Sequence, residues 1–296
     1  MIQYSHCPVC NDTKIRSVVS AVDYTVSEET FDIWHCANCT ARFTQGVPEQ
    51  DQIGRYYQSS EYISHSETKS GLVNKLYHFV RSITLTSKRK LILKETGLKK
   101  GHMLDLGCGT GAFLNEMKKA GWSTTGIEPD EQARKNALDL YDVNALTPEH
   151  FFSLPEQSFD AITMWHVLEH VHQLQEYVVQ LKKILKPDGR LFIAVPNYTS
   201  YDAKKYEHFW AAYDVPRHLY HFSPESMRVL MQKHGLSIKK TLPMWFDSIY
   251  VSMLSEKYRG GNIFGAIITG ALSNVVTLFK KERCSSLIYV IKKDSL

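Results

Sequence analysis

Between residues 102 and 195 of the 296-residue chain, short apolar runs alternate with segments in which apolar residues recur every three or four positions. The runs at 103–106, 123–127, 160–165 and 190–195 predict β-strands, and a weaker run near Val143 predicts another. Residues 113–120, 131–140 and 174–185 have the spacing of helices, and residues 186–189 predict a turn. This alternation is typical of a parallel sheet with crossover helices.

The chain changes character on both sides of this region. Residues 1–50 hold β-rich runs at 15–22 and 30–34 but too few apolar positions for a large core, so we expect a small module there. Residues 51–100 predict a connecting helical segment, in which an aromatic stretch precedes apolar residues at helical spacing. The aromatic residues are Tyr56, Tyr57 and Tyr62, and the spaced residues are Leu72, Leu76, Phe79 and Ile83.

After residue 196 the pattern breaks into an aromatic, histidine-rich segment that runs to residue 222. Ser223 and Pro224 then predict the start of a helix, and Gly235 predicts its end. Residues 236–242 and 287–291 predict two more strands, which brings the total available to seven. Residues 262–279 are apolar but fall short of a membrane span, so we expect a lid or helix over a pocket, with a helix on a membrane surface as the alternative.

Four of the six cysteines form two Cys-x-x-Cys pairs, Cys7 with Cys10 and Cys36 with Cys39. Four thiolates complete a tetrahedral zinc site, and a site with no open position is structural. The pairs stand further apart than in most such modules, which a longer hairpin between them accommodates. Redox-active pairs are the alternative to zinc.

The overall composition is that of a globular protein, with 43% hydrophobic and 22% charged residues. The formal net charge of +4 is small and the basic clusters are scattered, which argues against a nucleic-acid-binding surface. No secretory signal pattern opens the chain, so the cytoplasm is the expected location.

Three glycines, Gly107, Gly109 and Gly111, lie between the first predicted strand of the sheet and the helix after it. Such a loop lets a ligand approach the backbone closely, and the pattern alone also suits a dinucleotide. The carboxylate of Asp105 would repel a pyrophosphate and attract a cofactor that carries a sulfonium and an ammonium group. Glu128, at the end of the next strand, is placed to accept hydrogen bonds from ribose hydroxyls.

These motifs resemble those of class I S-adenosylmethionine-dependent methyltransferases over about residues 100–195. The resemblance rests on Leu104-Asp105-Leu106-Gly107-Cys108-Gly109-Thr110-Gly111, on Gly126-Ile127-Glu128, and on residues 158–162 through His166-Val167-Leu168-Glu169-His170. It implies an α/β fold with a Rossmann-like seven-stranded methyltransferase sheet, joined here to a small N-terminal zinc-ribbon-like domain. The implied cofactor-binding residues are Asp105, Gly107, Cys108, Gly109, Gly111, Glu128, Pro129, Asn144, Ala145 and His166.

Two further resemblances concern the parts of the chain. The cysteine module is similar to the zinc-binding N-terminal domain fused to certain sugar C-methyltransferases, and the core resembles quinone-type O-methyltransferases. The domains expected are therefore a zinc-binding module at 1–50, a helical linker or cofactor-covering segment at 51–100, and a methyltransferase domain at 101–296. Acceptor-site insertions are expected near 197–222 and 244–285.

Three histidines are candidates for catalysis. The run His166-Val167-Leu168-Glu169-His170 matches an inverted zinc-protease pattern. We reject that interpretation, because in a methyltransferase the run leaves the end of a parallel strand, where His166 would contact the methionine group or the substrate. His218 is the first candidate for a general base and His221 the second, with buried histidines that fix a loop as the alternative.

The sequence thus predicts methyl transfer from S-adenosylmethionine to a small-molecule, sugar or lipid-precursor acceptor, with zinc in a structural role. One alternative is an RNA methyltransferase whose zinc module grips nucleic acid, although the segment Met164-Trp165-His166-Val167 lacks the Asn-Pro-Pro-Tyr-type motif of base methylation. A non-catalytic zinc-dependent adaptor is the other, disfavoured by the intact glycine loop. Peripheral membrane contact is a further hypothesis, and the sequence does not fix the oligomeric state.

Overall fold

The computed structural model describes residues 1–58 and 72–294, and for residues 72–80 it describes only the backbone. Tyr62 and the side chains of Leu72, Leu76 and Phe79 therefore lie outside the described residues. The strands are β1 Ile15–Val22, β2 Thr30–Cys36, β3 Arg42–Thr44, β4 His102–Leu106, β5 Ser123–Ile127, β6 Phe159–Trp165, β7 Leu185–Pro196, β8 Tyr220–His221, β9 Leu236–Pro243 and β10 Ser286–Lys293. The α-helices are α1 Leu72–Thr96, α2 Ala112–Lys119, α3 Glu131–Tyr141, α4 Leu174–Ile184, α5 Tyr201–Tyr206, α6 Pro224–Lys233, α7 Asp247–Arg259 and α8 Ile263–Phe279.

The described residues fall into two compact units. The first consists of the described part of Met1–Ile63 with His166–Tyr177 and Ala194–Tyr289. The second consists of Val178–Ile193 with the described parts of Ser64–Trp165 and Val290–Leu296. The N-terminal segment thus groups with residues far along the chain. The predicted divisions at residues 50 and 100 stay predictions.

The first unit contains a four-stranded sheet in the order β1-β2-β3-β8. Its strands are antiparallel, and β3 pairs with β8 so that Phe43 lies opposite Tyr220 and Arg42 opposite His221. Apolar and aromatic side chains form a core beside it, among them Phe31, Tyr56, Tyr206 and Trp210. The predicted runs at 15–22 and 30–34 are confirmed as β1 and β2.

The second sheet has the strand order β5-β4-β6-β7-β10-β9. Strand β4 is parallel to both β5 and β6, with Asp105 opposite Gly126 on one side and Thr163 on the other. The strands and helices predicted between residues 102 and 195 are confirmed, except at two places. Residues 186–189, predicted to form a turn, belong to β7, and the prediction of a strand near Val143 is wrong.

The segment near Val143 makes one isolated parallel bridge, Leu146 to Ile127, so six strands rather than seven form this sheet in the described part of the chain. Pro148 explains why the segment stays short. It lacks a backbone N–H and begins the 3₁₀ turn Pro148–Ser153, which ends any ladder two residues after the bridge.

The helix ends follow the local sequence. Asp130 caps α3 by accepting a hydrogen bond from the Ala133 N–H at 2.6 Å. Ser223 and Ser226 form a capping box at the start of α6, where Pro224 is the first helical residue as expected. Within residues 262–279, Ile263–Phe279 form a helix, α8, and no helix among those described has the length and apolarity needed to cross a bilayer.

Candidate active site

The glycine loop of the second unit joins β4 to α2, as predicted. Gly107, Gly109 and Gly111 have φ values of 68°, 53° and 76°, in the left-handed region that favours glycine. A Cβ placed on Gly109 would meet no atom within 4 Å, so the loop has open space at its tip. This conformation leaves room for a ligand directly against the backbone.

Asp105 lies in β4 immediately before this loop, and it is 2% exposed. Its Oδ1 accepts a hydrogen bond from the Thr163 hydroxyl at 2.5 Å, across the parallel pair β4–β6. Burial raises the pKa of Asp105 to about 7, although the Thr163 hydrogen bond and the charge of Lys88 oppose that shift. The ionised form of a carboxyl group in such surroundings would be stabilised by a cationic ligand, because the ligand's positive charge would compensate for the hydration that burial removes.

Glu128 follows β5 and lies beside the loop. Its Oε2 accepts the Gly109 N–H at 2.8 Å and its Oε1 accepts the Asp130 N–H at 3.0 Å. Burial raises its pKa, and these two backbone hydrogen bonds lower it. Each carboxylate oxygen has lone pairs for a further donor, so the group fits ribose hydroxyls.

The other residues predicted to bind the cofactor in this unit lie close to Glu128. The Glu128 N–H donates to the Leu146 carbonyl at 3.0 Å and the Leu146 N–H donates to the Gly126 carbonyl at 2.8 Å. These bonds hold Asn144 and Ala145 next to the end of β5. Pro129 is fixed by Arg134, which donates to its carbonyl at 2.7 Å. The Cys108 thiol is buried, and burial together with the charges of Asp105 and Glu128 raises its pKa, so the thiol stays protonated and unreactive.

His166, in the first unit, stands between two carboxylates. Its Nε2 lies 3.0 Å from Asp247 Oδ2 and its Nδ1 lies 3.3 Å from Glu169 Oε1. Burial lowers the pKa of His166, but the adjacent carboxylates of Asp247 and Glu169 outweigh this effect and raise the pKa to about 10. His166 is therefore an imidazolium near neutral pH. Its φ of 58° is uncommon for a non-glycine residue and marks the sharp turn where the chain leaves β6.

Glu169 is fully buried, and neither of its carboxylate oxygens has a hydrogen-bond partner with good geometry among the described residues. The positive charge of His166 compensates it and, against the effect of burial, lowers its pKa. Ligand atoms of Glu169, His170 and His218 lie within 4.8 Å of one another, so this trio could by distance hold a cation. Burial lowers the pKa of His170 to about 4, so His170 is neutral.

His218 has one fixed and one available ring nitrogen. Its Nδ1 lies 2.9 Å from the Ala212 carbonyl oxygen, so Nδ1 carries the proton and donates it. In the neutral form of the ring Nε2 is then the acceptor, and it lies 3.8 Å from Asp214 Oδ2. The Asp214 carboxylate is held by Arg217, whose Nη2 donates to its Oδ1 at 2.7 Å, and its pKa is lowered, against the effect of burial, by the charges of His218 and Arg217.

His221 is placed differently from His218. Its backbone belongs to β8, and its Nε2 lies 3.1 Å from the Thr44 hydroxyl. Burial holds its pKa well below the usual value, together with the charges of His218 and Arg42. A histidine that is neutral, buried and tied to a strand is a weak proton acceptor.

The sequence reasoning missed Asp247, Asp214 and Arg217. Asp247 is 81 positions from His166, so nothing local links the two. Asp214 and Arg217 could have been noticed, since two opposite charges stand only three positions apart in the sequence. Arg217 is 1% exposed and also donates to Asp23 at 2.9 Å, which joins its loop to the N-terminal sheet.

The four cysteine sulfurs of the first unit converge. Cys7 Sγ lies 3.5 Å from Cys39 Sγ, Cys10 Sγ lies 3.6 Å from Cys36 Sγ, and the four atoms lie within 4.8 Å of one another. A tetrahedral site with Zn–S bonds of about 2.3 Å needs sulfurs roughly 3.8 Å apart. Disulfide sulfurs would stand about 2.05 Å apart, so the spacing fits a metal and excludes bonded pairs.

The two cysteine knuckles repeat one backbone geometry. Asn11 and Thr40, each directly after the second cysteine of a pair, have φ values of 67° and 61°. Each donates its N–H to the carbonyl of the first cysteine, Asn11 to Cys7 at 2.8 Å and Thr40 to Cys36 at 3.0 Å. The same turn on both sides presents two thiols of each pair to a common point.

Comparison with known proteins decides the family. A family model described as a methyltransferase domain matches residues 78–241, more than half of the 296 residues. The chain belongs to the class I S-adenosylmethionine-dependent methyltransferase family. This match confirms that the glycine loop of this methyltransferase was correctly interpreted as resembling that family.

Among curated relatives, the ubiquinone biosynthesis O-methyltransferase of Actinobacillus pleuropneumoniae serotype 7 (strain AP76) is 38% identical over 117 residues, which cover 36% of this chain and 50% of that protein. The methyltransferase thus spans about half the length of this curated relative. Two solved structures share its fold. The phosphoethanolamine N-methyltransferase 2 of Haemonchus contortus in complex with S-adenosyl-L-methionine has a TM-score of 0.53 at 17% identity, covering 86% of this chain and 62% of that one.

The second structure is a 1,6-didemethyltoxoflavin-N1-methyltransferase of Burkholderia thailandensis with bound 1,6-didemethyltoxoflavin and S-adenosylhomocysteine. Its TM-score is 0.50 at 14% identity, and the match covers 88% of this chain and 99% of that one. At such identities these two matches concern the fold alone.

Proposed function

We propose that this methyltransferase binds S-adenosylmethionine at the ends of β4 and β5 and transfers its methyl group to a small-molecule acceptor. The observation that carries the proposal is the pair of buried carboxyl groups, Asp105 and Glu128, beside a loop of left-handed glycines. Asp105 suits the cationic amino-acid part of the cofactor, and Glu128 suits the ribose. A dinucleotide would bring its pyrophosphate to the loop beside Asp105, whose carboxylate would repel it, and this disfavours that ligand.

The bound cofactor would supply an electrophilic methyl group, so an oxygen or nitrogen acceptor needs a group that removes its proton. His218 meets this need, because the Ala212 carbonyl fixes Nδ1 as the donor and leaves Nε2 free to accept. Asp214 would stabilise the imidazolium that forms, and Arg217 keeps Asp214 ionised. His166 is already protonated near neutral pH, so we assign it to binding rather than to proton removal.

The acceptor class to test first is an aromatic hydroxyl. This choice rests on the relatives named ubiquinone biosynthesis O-methyltransferase, which share the core sequence with this chain. Sugars and lipid precursors remain further classes to test, because the cysteine module resembles that of sugar methyltransferases. We also propose that Cys7, Cys10, Cys36 and Cys39 hold one structural zinc ion.

The experiment is methyl transfer from labelled cofactor to a panel of phenols, catechols, sugars and amines. With an accepted substrate, His218→Ala should lower kcat roughly 10²–10⁴-fold while the Kd for S-adenosylhomocysteine changes little, since the base acts only on the acceptor. His208→Ala is the matched control, because His208 is exposed. Full turnover of His218→Ala would remove His218 from the mechanism, and a loss confined to His221→Ala would transfer the role to His221.

A further inference from the structure

Helix α8 has its polar residues inside and its apolar residues outside. None of the 17 residues of Ile263–Phe279 carries a charge. The side that packs against the protein is made of small and hydroxyl residues, namely Ala266, Thr269, Gly270, Ser273 and Thr277. An ordinary surface helix buries its apolar side and exposes its polar side, so the exposed apolar side of α8 requires a separate explanation.

The outward side of α8 is strongly exposed. Phe264 is 74% exposed and Phe279 is 83% exposed, although they are the largest side chains of the helix. The exposed apolar residues that define this surface, called the apolar face below, are Phe264, Ile267, Ile268, Leu272, Leu278 and Phe279. Monomeric proteins seldom expose a continuous patch of this kind without a partner for it.

Helix α7 extends the apolar face. The two helices lie in close contact, since a Cβ on Gly270 would come within 2.8 Å of the Ile249 Cα. A hydrogen bond of 2.8 Å from the Ser248 hydroxyl to Asn274 Oδ1 links them further. Tyr250 and Met253 of α7 are exposed beside α8. The patch is therefore a surface of two packed helices and does not depend on one loose helix.

Basic residues stand at both ends of the apolar face and none stands within it. Lys257 and Arg259 are exposed at the end of α7, directly before the turn into α8. Lys280 and Lys281 are exposed directly after α8, with one acidic residue, Glu282, behind them. Apolar side chains bordered by lysine and arginine are the pattern of helices that lie in the surface of an anionic membrane.

We propose that the apolar face docks on the surface of a bilayer that contains anionic lipids. The aromatic and aliphatic side chains would enter the boundary between headgroups and acyl chains, and the basic residues at both ends would contact lipid phosphates. A second copy of the chain fits less well, because two such faces packed together would bring basic residues close to one another. The proposed contact is with the bilayer surface, and no described helix is long and apolar enough to cross the bilayer.

The proposed docking also narrows the acceptor, a step that rests on the proposed function. Asp247 begins α7 and pairs with His166 at 3.0 Å, so the helix that carries part of the apolar face also fixes a histidine of the candidate active site. An enzyme held on a bilayer by this helix would meet acceptors that dissolve in or are anchored to lipid. We therefore infer a lipid-soluble acceptor class.

Co-sedimentation with vesicles tests the docking without requiring activity. The wild-type protein should bind vesicles of equal parts phosphatidylcholine and phosphatidylglycerol at least about tenfold more tightly than vesicles of phosphatidylcholine alone. The double variant Phe264→Ser/Phe279→Ser should lose about tenfold or more of that binding, because two exposed apolar side chains no longer enter the bilayer. Lys280→Glu/Lys281→Glu should lose the preference for anionic lipid.

The matched control is Leu138→Ser/Leu140→Ser, which removes two exposed leucines of α3 that are not part of the apolar face. It should bind vesicles like the wild type. Equal sedimentation of the wild type with and without vesicles would overturn the proposal. So would a wild-type dimer in sedimentation velocity that Phe264→Ser/Phe279→Ser converts to monomer, since the occupant would then be a second copy. Binding of S-adenosylmethionine is measured separately, so failure of the docking and failure of the proposed function are distinguishable.

Discussion

At the scale of single residues, the candidate site contains ionisable groups in surroundings that are unfavourable for the fold alone. Asp105 is buried near the end of the parallel strand β4 with one hydroxyl partner, and its pKa is raised to about 7 by burial. Positions at which a residue opposes stability are commonly those that a protein keeps for binding. Asp105 opposes stability in this way, and binding of a cationic ligand would explain why the protein has a carboxyl group at this position.

This argument predicts a pH-dependent gain in stability for Asp105→Asn. Because the folded-state pKa of Asp105 lies above its unfolded value near 3.9, its neutral form is favoured in the native protein. The free energy of unfolding of the wild type should therefore fall as the pH rises from about 4 to about 7, by an amount on the order of 4 kcal/mol. Asparagine cannot ionise and keeps an oxygen for Thr163.

Urea unfolding of both proteins at pH 5 and pH 8 provides the measurement. The variant should exceed the wild type in stability by more at pH 8 than at pH 5, and it should bind S-adenosylmethionine more weakly. An identical pH dependence of the two proteins would show that Asp105 is ionised at little cost.

At the scale of elements, the zinc knuckles give the clearest prediction. The four sulfurs lie at metal-like separations on two turns of the same geometry, so we expect one zinc ion per chain by elemental analysis. Cys36→Ser should lower the zinc content and the thermal stability together, because metal binding contributes to folding of such modules. Cys284→Ser, at a buried cysteine outside the cluster, should keep the full zinc content. Freely titratable thiols in metal-free native protein would contradict the assignment.

The sequence predicts elements best where local signals agree. The strand β4, its glycine loop and α2 were predicted nearly to the residue, because an apolar run, three glycines and helical spacing follow one another. The strand predicted near Val143 was wrong, because the sequence of the five residues before Pro148 does not show whether they pair with a neighbouring strand over one residue or over several. The pairing of β3 with β8 joins positions about 180 residues apart and has no local signal.

Helix α8 illustrates the same limit for burial. Its sequence is apolar on most sides, so periodicity predicts a helix but does not say which side faces the protein. Only the packing of Gly270 on α7 shows that the small residues point inward. The partners of His166 were equally hidden, because Asp247 reaches it from the start of another helix.

At the scale of the whole molecule, the groups to which we assign roles fall in two units. The second carries the two carboxyl groups proposed to bind the cofactor, and the first carries the histidine cluster, the cysteine site and the apolar face. In the first unit, the ion pair between Arg217 and Asp23 also joins the loop of His218 to the N-terminal sheet. We expect damage to the cysteine site to affect turnover through this unit while binding of the cofactor persists.

The central claim is that the carboxyl groups at the ends of β4 and β5 bind S-adenosylmethionine, and titration calorimetry tests it most directly. The wild type should bind S-adenosylmethionine and S-adenosylhomocysteine with Kd values of about 1 µM or below, roughly 8 kcal/mol. Glu128→Ala should lose about 1.5–3 kcal/mol, because a charged hydrogen-bond pair to the ribose is removed. Glu131→Ala, an exposed acid three residues on, should bind like the wild type. Preferential binding of NAD by the wild type, or equal affinity of Glu128→Ala and wild type for S-adenosylhomocysteine, would contradict the account.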